Sequence, residues 1–307
     1  MENCNGISRG DIIIIRDKEK IMITLKNKDV SLVISEHGAE PCSLESRQTG
    51  IQYIWSGDPA YWKRHAPILF PMAGPTKDGQ ISVGGKLYDM PNNGFARDSE
   101  FKLVHSDSNT AEFVLEDSPE TRAVYPFGFK LTIDYKIEAA GCSVKATVLS
   151  KTDGMHFTYA LHPAFMLAMN QGSSMEDCMV RFYEAEHQDK DSLQNKVFVT
   201  EKDGMKGKIL QLSRAELDKG PIVLHSVKSN RVTFCSSKGK HGVEISMGAM
   251  HTLVCWSPEG KNAPFVCVEP MHSFGDSTRS KELSEMKETI ALNKGQSKAF
   301  LNEFRIF

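Results

Sequence analysis

The clearest regularity in this chain is an alternation of apolar and polar residues. Between Phe127 and Glu138 every second residue is apolar, and the residues between them are polar or glycine. A period of two predicts a β-strand with one buried face and one solvated face. Residues 139–141 supply a turn and the alternation resumes at Val144, so residues 127–149 are predicted to form a β-hairpin.

Short apolar runs of the same kind recur along the chain, and turn-forming residues such as Gly84-Gly85 and Asn92-Asn93-Gly94 separate them. The runs that we predict to be strands are residues 21–25, 31–35, 81–83, 101–105, 111–115, 157–161, 197–199, 222–224, 231–234, 243–246, 252–256 and 265–268. Many short strands at close spacing predict an all-β sandwich or barrel. Because strands and helices do not alternate, we do not expect a parallel doubly wound sheet.

Helical patterning is confined to two short segments. Residues 213–217 are predicted to form one turn, and residues 280–289 a short surface helix with Leu283 and Met286 facing inward. The sequence has no repeat of fixed period and no linker rich in proline, glycine or serine. We therefore expect residues 1–307 to form a single domain.

Composition and charge narrow the class of function. Hydrophobic residues make up 40% of the chain and charged residues 25%, which is typical of a soluble globular protein. The formal net charge of −2 gives no electrostatic reason to expect a nucleic-acid partner. No apolar stretch suits a membrane span, and residues 1–11 do not resemble a signal peptide. Seven irregularly spaced cysteines predict reduced core thiols, which agrees with a cytoplasmic location.

Two ionisable residues stand where an apolar strand meets a proline. His162 follows one apolar run and precedes Pro163, and Glu269 follows another and precedes Pro270. We expect each proline to end its strand, which leaves His162 rigidly held and partly solvated and Glu269 with limited solvent and a tunable pKa. A histidine and a carboxylate held in this way suit general acid–base catalysis. Taken alone, each also fits a structural histidine or a glutamate that begins an exposed loop.

A segment dense in glycine and proline runs from residue 67 to residue 101, just after a stretch that contains Trp55, Tyr61 and Trp62. Aromatic faces beside a rigid polar loop suit a sugar, because sugar C–H faces stack on rings while the hydroxyls need hydrogen-bond partners. Each of these aromatic residues, taken singly, also fits the edge of the core. The histidines are scattered and show no spacing typical of a metal site.

In order and wording, these segments resemble the aldose 1-epimerase, or galactose mutarotase-like, family. The stretches that carry the resemblance are residues 67–71 (PILFP), 94–98 (GFARD), 125–127 (YPF), 162–165 (HPAF) and 267–270 (CVEP). The resemblance covers nearly the whole chain. It implies a large antiparallel β-supersandwich of two packed sheets, which agrees with the strand pattern. It also implies an isomerase that interconverts the α- and β-anomers of a free sugar.

The resemblance further implies a role for each candidate residue. The family's catalytic histidine matches His162, and its catalytic glutamate matches Glu269. In this chemistry Glu269 takes the proton from the C1 hydroxyl, protonated His162 donates to the ring oxygen, and the opened sugar recloses on its other face. The only partner implied is a small-molecule sugar, with no cofactor and no metal, and the oligomeric state is left open.

Several departures from the family's pattern fall among the residues expected to bind the sugar hydroxyls. Pro75 stands where the family has an arginine, Asn93 where it has a histidine, and Met271 where it has a tryptophan. An asparagine can still bond a hydroxyl, and Lys77 can replace part of the lost charge. We therefore expect Asn93 and Lys77 to bind substrate.

The same departures keep two alternative functions open. One is a non-catalytic carbohydrate-binding or sensor protein on the same fold, and the other is a sugar-phosphate epimerase. The latter needs an arginine-rich anion site, which the loss of an arginine at Pro75 argues against. Arg97 and Asp98 match the family's motif, and we expect them to form a structural ion pair behind the loop. The family's further substrate-binding acid has no clear match between Leu212 and Leu224.

Overall fold

The computed structural model of the chain describes residues 7–9, 12–17, 20–195, 197–274, 280–286 and 288–307. The strands of the N-terminal half are β1 (Ile7–Arg9), β2 (Ile12–Asp17), β3 (Lys20–Lys26), β4 (Val30–Ser35), β5 (Glu40–Ser46), β6 (Ile68–Leu69), β7 (Gln80–Val83), β8 (Lys86–Asp89), β9 (Lys102–Ser106), β10 (Thr110–Glu116), β11 (Phe129–Glu138) and β12 (Gly141–Ser150).

The strands of the C-terminal half are β13 (Met155–Phe157), β14 (Ala160–Leu161), β15 (Ala164–Met166), β16 (Cys178–Gln194), β17 (Val197–Gln211), β18 (Ile222–Leu224), β19 (Arg231–Ser236), β20 (Gly242–Ser246), β21 (Thr252–Trp256), β22 (Phe265–Met271), β23 (Ile290–Leu292) and β24 (Ser297–Ile306). Helix within the described residues comprises α1 (Pro119–Val124), α2 (Arg214–Leu217) and 3-10 turns at Lys77–Gly79, Ala96–Asp98, Leu167–Met169, Met175–Asp177 and Leu283–Glu285. No helix among these residues has the length and apolar character needed to cross a membrane.

Strand pairing confirms the predicted all-β architecture, with about 52% of the chain in strands and 9% in helices. Fifteen strands form one large sheet, whose main path runs β6-β14-β22-β21-β18-β16-β19-β20-β24-β12-β11-β10-β9. Strands β1 to β5 form a second sheet in sequence order. Pairing in both sheets is antiparallel, as the resemblance implied.

The predicted hairpin shows how the apolar face of an alternating strand contributes to the core between these two sheets. Strands β11 and β12 pair as expected, with Leu131 opposite Val148. Both side chains are fully buried and belong to the same hydrophobic core as Leu32 and Ile34 of the five-stranded sheet. Each large apolar side chain buried in this way contributes roughly 1.5–3 kcal/mol. One face of the alternating strand thus packs on the second sheet while the other face meets solvent.

The largest difference from the sequence prediction is a long hairpin formed by β16 and β17. Only residues 197–199 of this hairpin were predicted to be strand. Most of its outer half is exposed or partly exposed on both faces, so no clean alternation marks it. Its register also shifts between Arg181 and Glu186 and again between Gln188 and Lys190, which interrupts any period of two.

The two helical predictions have different outcomes. The turn predicted at residues 213–217 is confirmed as α2, and the Ser213 hydroxyl accepts a hydrogen bond from the Glu216 N–H as its N-cap. The helix predicted at residues 280–289 is wrong, because the described part of that segment contains only the 3-10 turn Leu283–Glu285. Leu283 and Met286 are nevertheless buried, as predicted. Position 287 lies outside the described residues.

Candidate active site

The large sheet brings His162 and Glu269 together through strand pairing. Strand β14 pairs with β22 just before His162, and β15 pairs with the same strand just after it. The register of each pair, continued by two residues, places His162 opposite Glu269 in β22. The His162 N–H donates to the carbonyl of Pro67 at 3.0 Å. The histidine therefore occupies the break between two short strands that share one partner.

The two side chains are in contact, and the histidine is more enclosed than predicted. His162 Nε2 lies 3.4 Å from Glu269 Oε2. His162 is 8% exposed and Glu269 only 1%, so the expectation of a partly solvated histidine was wrong, whereas the limited solvent expected at Glu269 agrees with its burial. Strand β22 also continues through Pro270 to Met271, because β21 pairs with it along this whole stretch. Glu269 thus stands inside a buried strand and not at its end.

Each member of the pair keeps one polar atom without a protein partner. Within the described part of the chain, Glu269 Oε1 and His162 Nδ1 are buried and accept or donate no hydrogen bond. A buried polar group left unpaired costs about 1–3 kcal/mol. Such groups in a folded protein point to a ligand or to water that completes their bonding.

The same burial sets the protonation of the pair. Burial raises the pKa of Glu269 well above its ordinary value. Burial, and after it the positive charge of Arg97, lowers the pKa of His162 to about 3. These shifts favour the uncharged forms, protonated Glu269 beside neutral His162, in the sugar-free pair. The pair then carries one proton that can pass between Oε2 and Nε2, so an acid and a base stand in contact.

Two tryptophans fix the orientation of the imidazole. Trp62 stacks on His162 with ring centroids 5.1 Å apart, and Trp256 meets it edge-on at 5.6 Å. Trp55 lies deeper, is 3% exposed and stacks on Phe265. Of the tryptophans singled out in the sequence, Trp55 is therefore a core residue, whereas Trp62 belongs to the site.

The pair opens into a cleft of about 310 Å³, at the small end of the range for ligand pockets and suited to a molecule of monosaccharide size. Glu269 is the only carboxylate among the described residues that line it, and Pro221 is the one lining residue from the segment where the family's further acid was sought. The lining residues are Trp62, Gly74, Pro75, Asn92, Asn93, Arg97, His162, Leu193, Pro221, Val254, Trp256, Glu269, Met271 and Phe274.

One rim of the cleft is the predicted glycine- and proline-rich loop, folded against itself. The N–H groups of Phe95 and Ala96 both donate to the carbonyl of Phe70 at 3.0 Å. Gly94 permits this approach, because a Cβ there would lie 2.2 Å from the same carbonyl oxygen. Its φ of +68° also lies in the left-handed region that favours glycine. The loop is thus ordered, as predicted, and its backbone contacts place residues 92–97 on the rim.

The two residues predicted to bind substrate have different positions. Asn93 lines the cleft, but its Oδ1 accepts a hydrogen bond from the Gly74 N–H at 2.7 Å. Its φ of +68° is one that asparagine tolerates better than most residues. Only the amide NH₂ of Asn93 is left to meet a hydroxyl. Lys77 is exposed on a 3-10 turn and is not among the residues that line the cleft, so its predicted place is wrong.

Arg97, which we expected to lie behind the loop, lines the cleft. One Nη donates to the carbonyl of Asn92 at 2.7 Å, and Nε lies 3.6 Å from Asp98. The closer ion pair of Asp98 is with Arg64, at 2.7 Å. Burial and the neighbouring Arg64 lower the pKa of Arg97 to about 10, which keeps the guanidinium charged at neutral pH. The expectation of a purely structural ion pair was therefore wrong for Arg97, which supplies a cation to the cleft.

A third group, which the sequence spacing did not reveal, lies beside the pair although it does not line the cleft. Cys267 is fully buried, and its ligand atom lies within 4.8 Å of those of His162 and Glu269. A thiol, an imidazole and a carboxylate form a donor set that suits zinc. The scattered histidines gave no such indication, because the set combines one residue from the β14–β15 break with two from β22.

Other lining residues were missed for different reasons. Trp256 and Val254 alternate on β21 just as Glu269 and Met271 alternate on β22, and pairing these two strands would have placed all four on one face. Leu193 comes from the irregular hairpin β16–β17, and nothing local in the sequence connects it to the cleft.

Comparison with known proteins agrees with this architecture. A family model described as aldose 1-epimerase matches residues 22–300. The chain is also 26% identical over 286 residues to the chromosomal LacX protein of Lactococcus lactis subsp. lactis, a match that covers 87% of this chain and 93% of LacX.

Two solved structures have nearly the same fold. A galactose mutarotase-like protein from Lactobacillus casei ATCC 334 superposes with a TM-score of 0.87 at 29% identity, covering 93% of this chain and 100% of that one. A galactose mutarotase related enzyme from Lactobacillus acidophilus gives a TM-score of 0.86 at 25% identity, covering 93% and 97%.

Proposed function

Because this chain belongs to the aldose 1-epimerase family, we propose that it interconverts the α- and β-anomers of a free aldose, with His162 and Glu269 as its acid–base pair. The observation that carries the proposal is the contact between these two side chains on the floor of a sugar-sized cleft. Mutarotation needs one proton removed from the C1 hydroxyl and one delivered to the ring oxygen. A donor and an acceptor that face the same small space meet this need without a cofactor.

The reaction begins with the pair holding a single transferable proton. One member accepts the proton of the C1 hydroxyl while the other donates to the ring oxygen, and the C1–O5 bond breaks to give the open-chain aldehyde. Rotation about the C1–C2 bond presents the other face of the aldehyde. The ring then closes with the two roles exchanged, which leaves the pair with its original proton count.

The position of that proton decides which residue acts first. In the sugar-free cleft it resides on Glu269, since burial disfavours the charged form of both groups. The family's assignment of Glu269 as base and His162 as acid requires the proton to cross the 3.4 Å contact from Oε2 to Nε2 when sugar binds. Since the transfer stays within the pair, it needs no exchange with solvent. Each proton-transfer role is worth about 10²- to 10⁴-fold in rate.

The sugar would be bound by residues of the rim and by Trp62 beside His162. The Arg97 guanidinium and the Asn93 amide offer donors to hydroxyl groups. Trp62 lines the cleft and is only partly buried, so the part of its ring that is not stacked on His162 and Phe265 can meet the apolar face of a pyranose. Because Arg97 reaches the cleft from another part of the loop, it can take over the role of the arginine that Pro75 replaces.

Polarimetry tests the proposal. Freshly dissolved α-D-glucose and α-D-galactose should reach their equilibrium rotation faster with the protein, and the Glu269→Gln variant should not produce this effect. If neither sugar responds, a panel of other aldoses follows. Acceleration of none of them, together with binding of a sugar in calorimetry, would favour a non-catalytic carbohydrate-binding protein.

One observation favours a second candidate, an epimerase of phosphorylated sugars. Arg97 brings a charged guanidinium into the cleft, and Arg64 lies close behind it, with a hydrogen bond to the Arg97 carbonyl at 3.2 Å. Guanidinium groups are well suited to phosphate. Anomerisation of glucose 6-phosphate, followed by NMR exchange in parallel with glucose, separates the two substrates. Competitive inhibition by inorganic phosphate would support the phosphorylated one, and its absence would count against it.

A further inference from the structure

We infer that the His162–Glu269 pair, together with the buried Cys267 beside it, is also a binding site for a soft divalent cation such as Zn²⁺ or Cd²⁺. The ligand atoms of these residues lie within 4.8 Å of one another. Thiolate, imidazole and carboxylate are the three protein ligand types that zinc takes, and the thiolate selects it over hard cations such as Mg²⁺.

The spacing of these ligand atoms is close to that of a tetrahedral metal site. Bond lengths of about 2.0–2.3 Å require ligand atoms about 3.3–3.6 Å apart. His162 Nε2 and Glu269 Oε2 are already 3.4 Å apart. Cys267 Sγ lies within 4.8 Å of the other two ligand atoms and needs to approach by about 1.3 Å at most, which requires a change in its side-chain torsion.

Strand β22 holds two of the three ligands. Cys267 and Glu269 are two residues apart in β22, so their side chains project from the same face of the sheet. His162 faces Glu269 from the break in the neighbouring strand. Sites built on paired strands keep their geometry better than sites built on loops, which favours metal binding without rearrangement of the backbone.

The positive charges of Arg97 and Arg64 act on His162 and oppose a cation here, so binding depends on the ligands themselves. Among the described ion pairs, Glu269 contacts only His162, and no lysine or arginine reaches its carboxylate. A dication would offset the charges of a buried carboxylate and a buried thiolate at once. The fourth ligand position of a tetrahedral site is left for water.

Occupancy by the cation would block the proposed reaction. The metal takes Oε2 and Nε2, the two atoms between which the catalytic proton moves, so metal and reacting sugar exclude one another. The expected result is inhibition that a chelator reverses and that rising sugar concentration relieves. Metal binding itself can be detected even if the protein proves not to be a mutarotase.

Cadmium titration, followed by the ultraviolet thiolate-to-metal charge-transfer band, tests the site directly. The protein used should carry Cys42→Ser and Cys4→Ser, because Cys42 is partly exposed and Cys4 lies outside the described residues. We expect one equivalent of Cd²⁺ to produce the band and Cys267→Ala to abolish it. Cys255→Ala is the matched control, since Cys255 is an equally buried thiol in β21 and should keep the band.

A second variant covers the case in which Cys267→Ala does not fold. Glu269→Gln keeps the thiol and removes the carboxylate ligand, so the apparent Kd for Cd²⁺ should rise at least about 10-fold. Mg²⁺ should neither produce the band nor displace Cd²⁺. The inference is overturned if the starting protein gives no band, if the band survives Cys267→Ala, or if Glu269→Gln leaves the Kd unchanged.

Discussion

The floor and the rim of the cleft are held together in different ways. On the floor, His162 and Glu269 are fixed by paired strands, are almost fully buried, and keep polar atoms without protein partners. On the rim, the Asn93 side chain accepts from the Gly74 N–H, and Arg97 donates to the Asn92 carbonyl. The pair therefore has polar atoms that can hydrogen-bond a reactant, whereas part of the polar groups of the rim already form hydrogen bonds within the loop.

This difference separates chemistry from recognition. A change on the floor removes a group that the reaction needs, and the surrounding strands remain to hold the fold. A change on the rim alters either a contact with the sugar or a bond within the loop. We therefore expect floor variants to lower kcat, and rim variants to raise KM or to lower the free energy of unfolding.

The largest effect is expected from His162→Asn. The amide preserves polarity but cannot accept and return a proton near neutral pH, so kcat should fall by at least about 10²-fold. Polarimetry gives the rate, and circular dichroism checks that the variant is folded. A folded variant with near-normal kcat would remove the histidine from the acid–base pair.

Replacing Arg97 by methionine should act on binding. A hydrogen bond to a charged group contributes about 1.5–3 kcal/mol, so KM should rise about 10- to 100-fold while kcat changes less. The loss of this charge should also raise the pKa of His162, because Arg97 is the second cause of its depression after burial. Arg97→Lys, which keeps the charge but loses the planar fork, is the matched control and should lie between the two. An unchanged KM would show that Arg97 does not bind the substrate and has only a structural role.

Asn93→His restores the residue that the family resemblance leads one to expect, yet we predict that it lowers stability. Histidine can replace the Oδ1 acceptor for the Gly74 N–H only while its Nδ1 is unprotonated, so once the imidazole is charged at low pH the buried donor is left unpaired, at a cost of about 1–3 kcal/mol. Chemical denaturation measures this loss. Asn93→Asp keeps the acceptor and should retain most of the stability, so equal losses in both variants would contradict the explanation.

The smallest effect is expected from Lys77→Ala. Lys77 is exposed on a 3-10 turn and does not line the cleft, so kcat and KM should each change less than about twofold. Steady-state kinetics on the best substrate provides the measurement. A KM change as large as that of Arg97→Met would show that the loop closes over bound sugar and brings the lysine in.

Some features of the site could be predicted from the sequence alone, and others could not. Strand alternation placed Leu131 in the core, and two apolar runs located His162 and Glu269, because a period of two depends only on neighbouring residues. The alternation could not reveal that strand β22 continues through Pro270, because this depends on pairing with β21. Nor could it place Arg97 or Cys267, whose neighbours are set by a loop that folds back on the Phe70 carbonyl and by strands distant in sequence.

The central claim is that one buried pair carries the catalytic proton, and the pH profile of kcat/KM for the wild type and Glu269→Gln tests it most directly. Glutamine must first be shown to preserve the fold. The raised pKa of Glu269 stabilises the folded protein at low pH, and that contribution is lost as pH rises above 4.5 toward the raised value. Relative to the wild type, the variant should therefore gain stability with rising pH, by about 1.4 kcal/mol per unit in that window.

NMR exchange between sugar anomers gives the rates. With the pKa of His162 lowered to about 3 and that of Glu269 raised, the one-proton form of the pair dominates between these limits. The wild type should therefore show no change of kcat/KM at pH 4.5 or pH 6.5, the ordinary pKa values of the two groups, and Glu269→Gln should be at least about 10²-fold slower throughout. A wild-type profile that falls near pH 6.5, or a folded variant that retains most of the activity, would contradict the account.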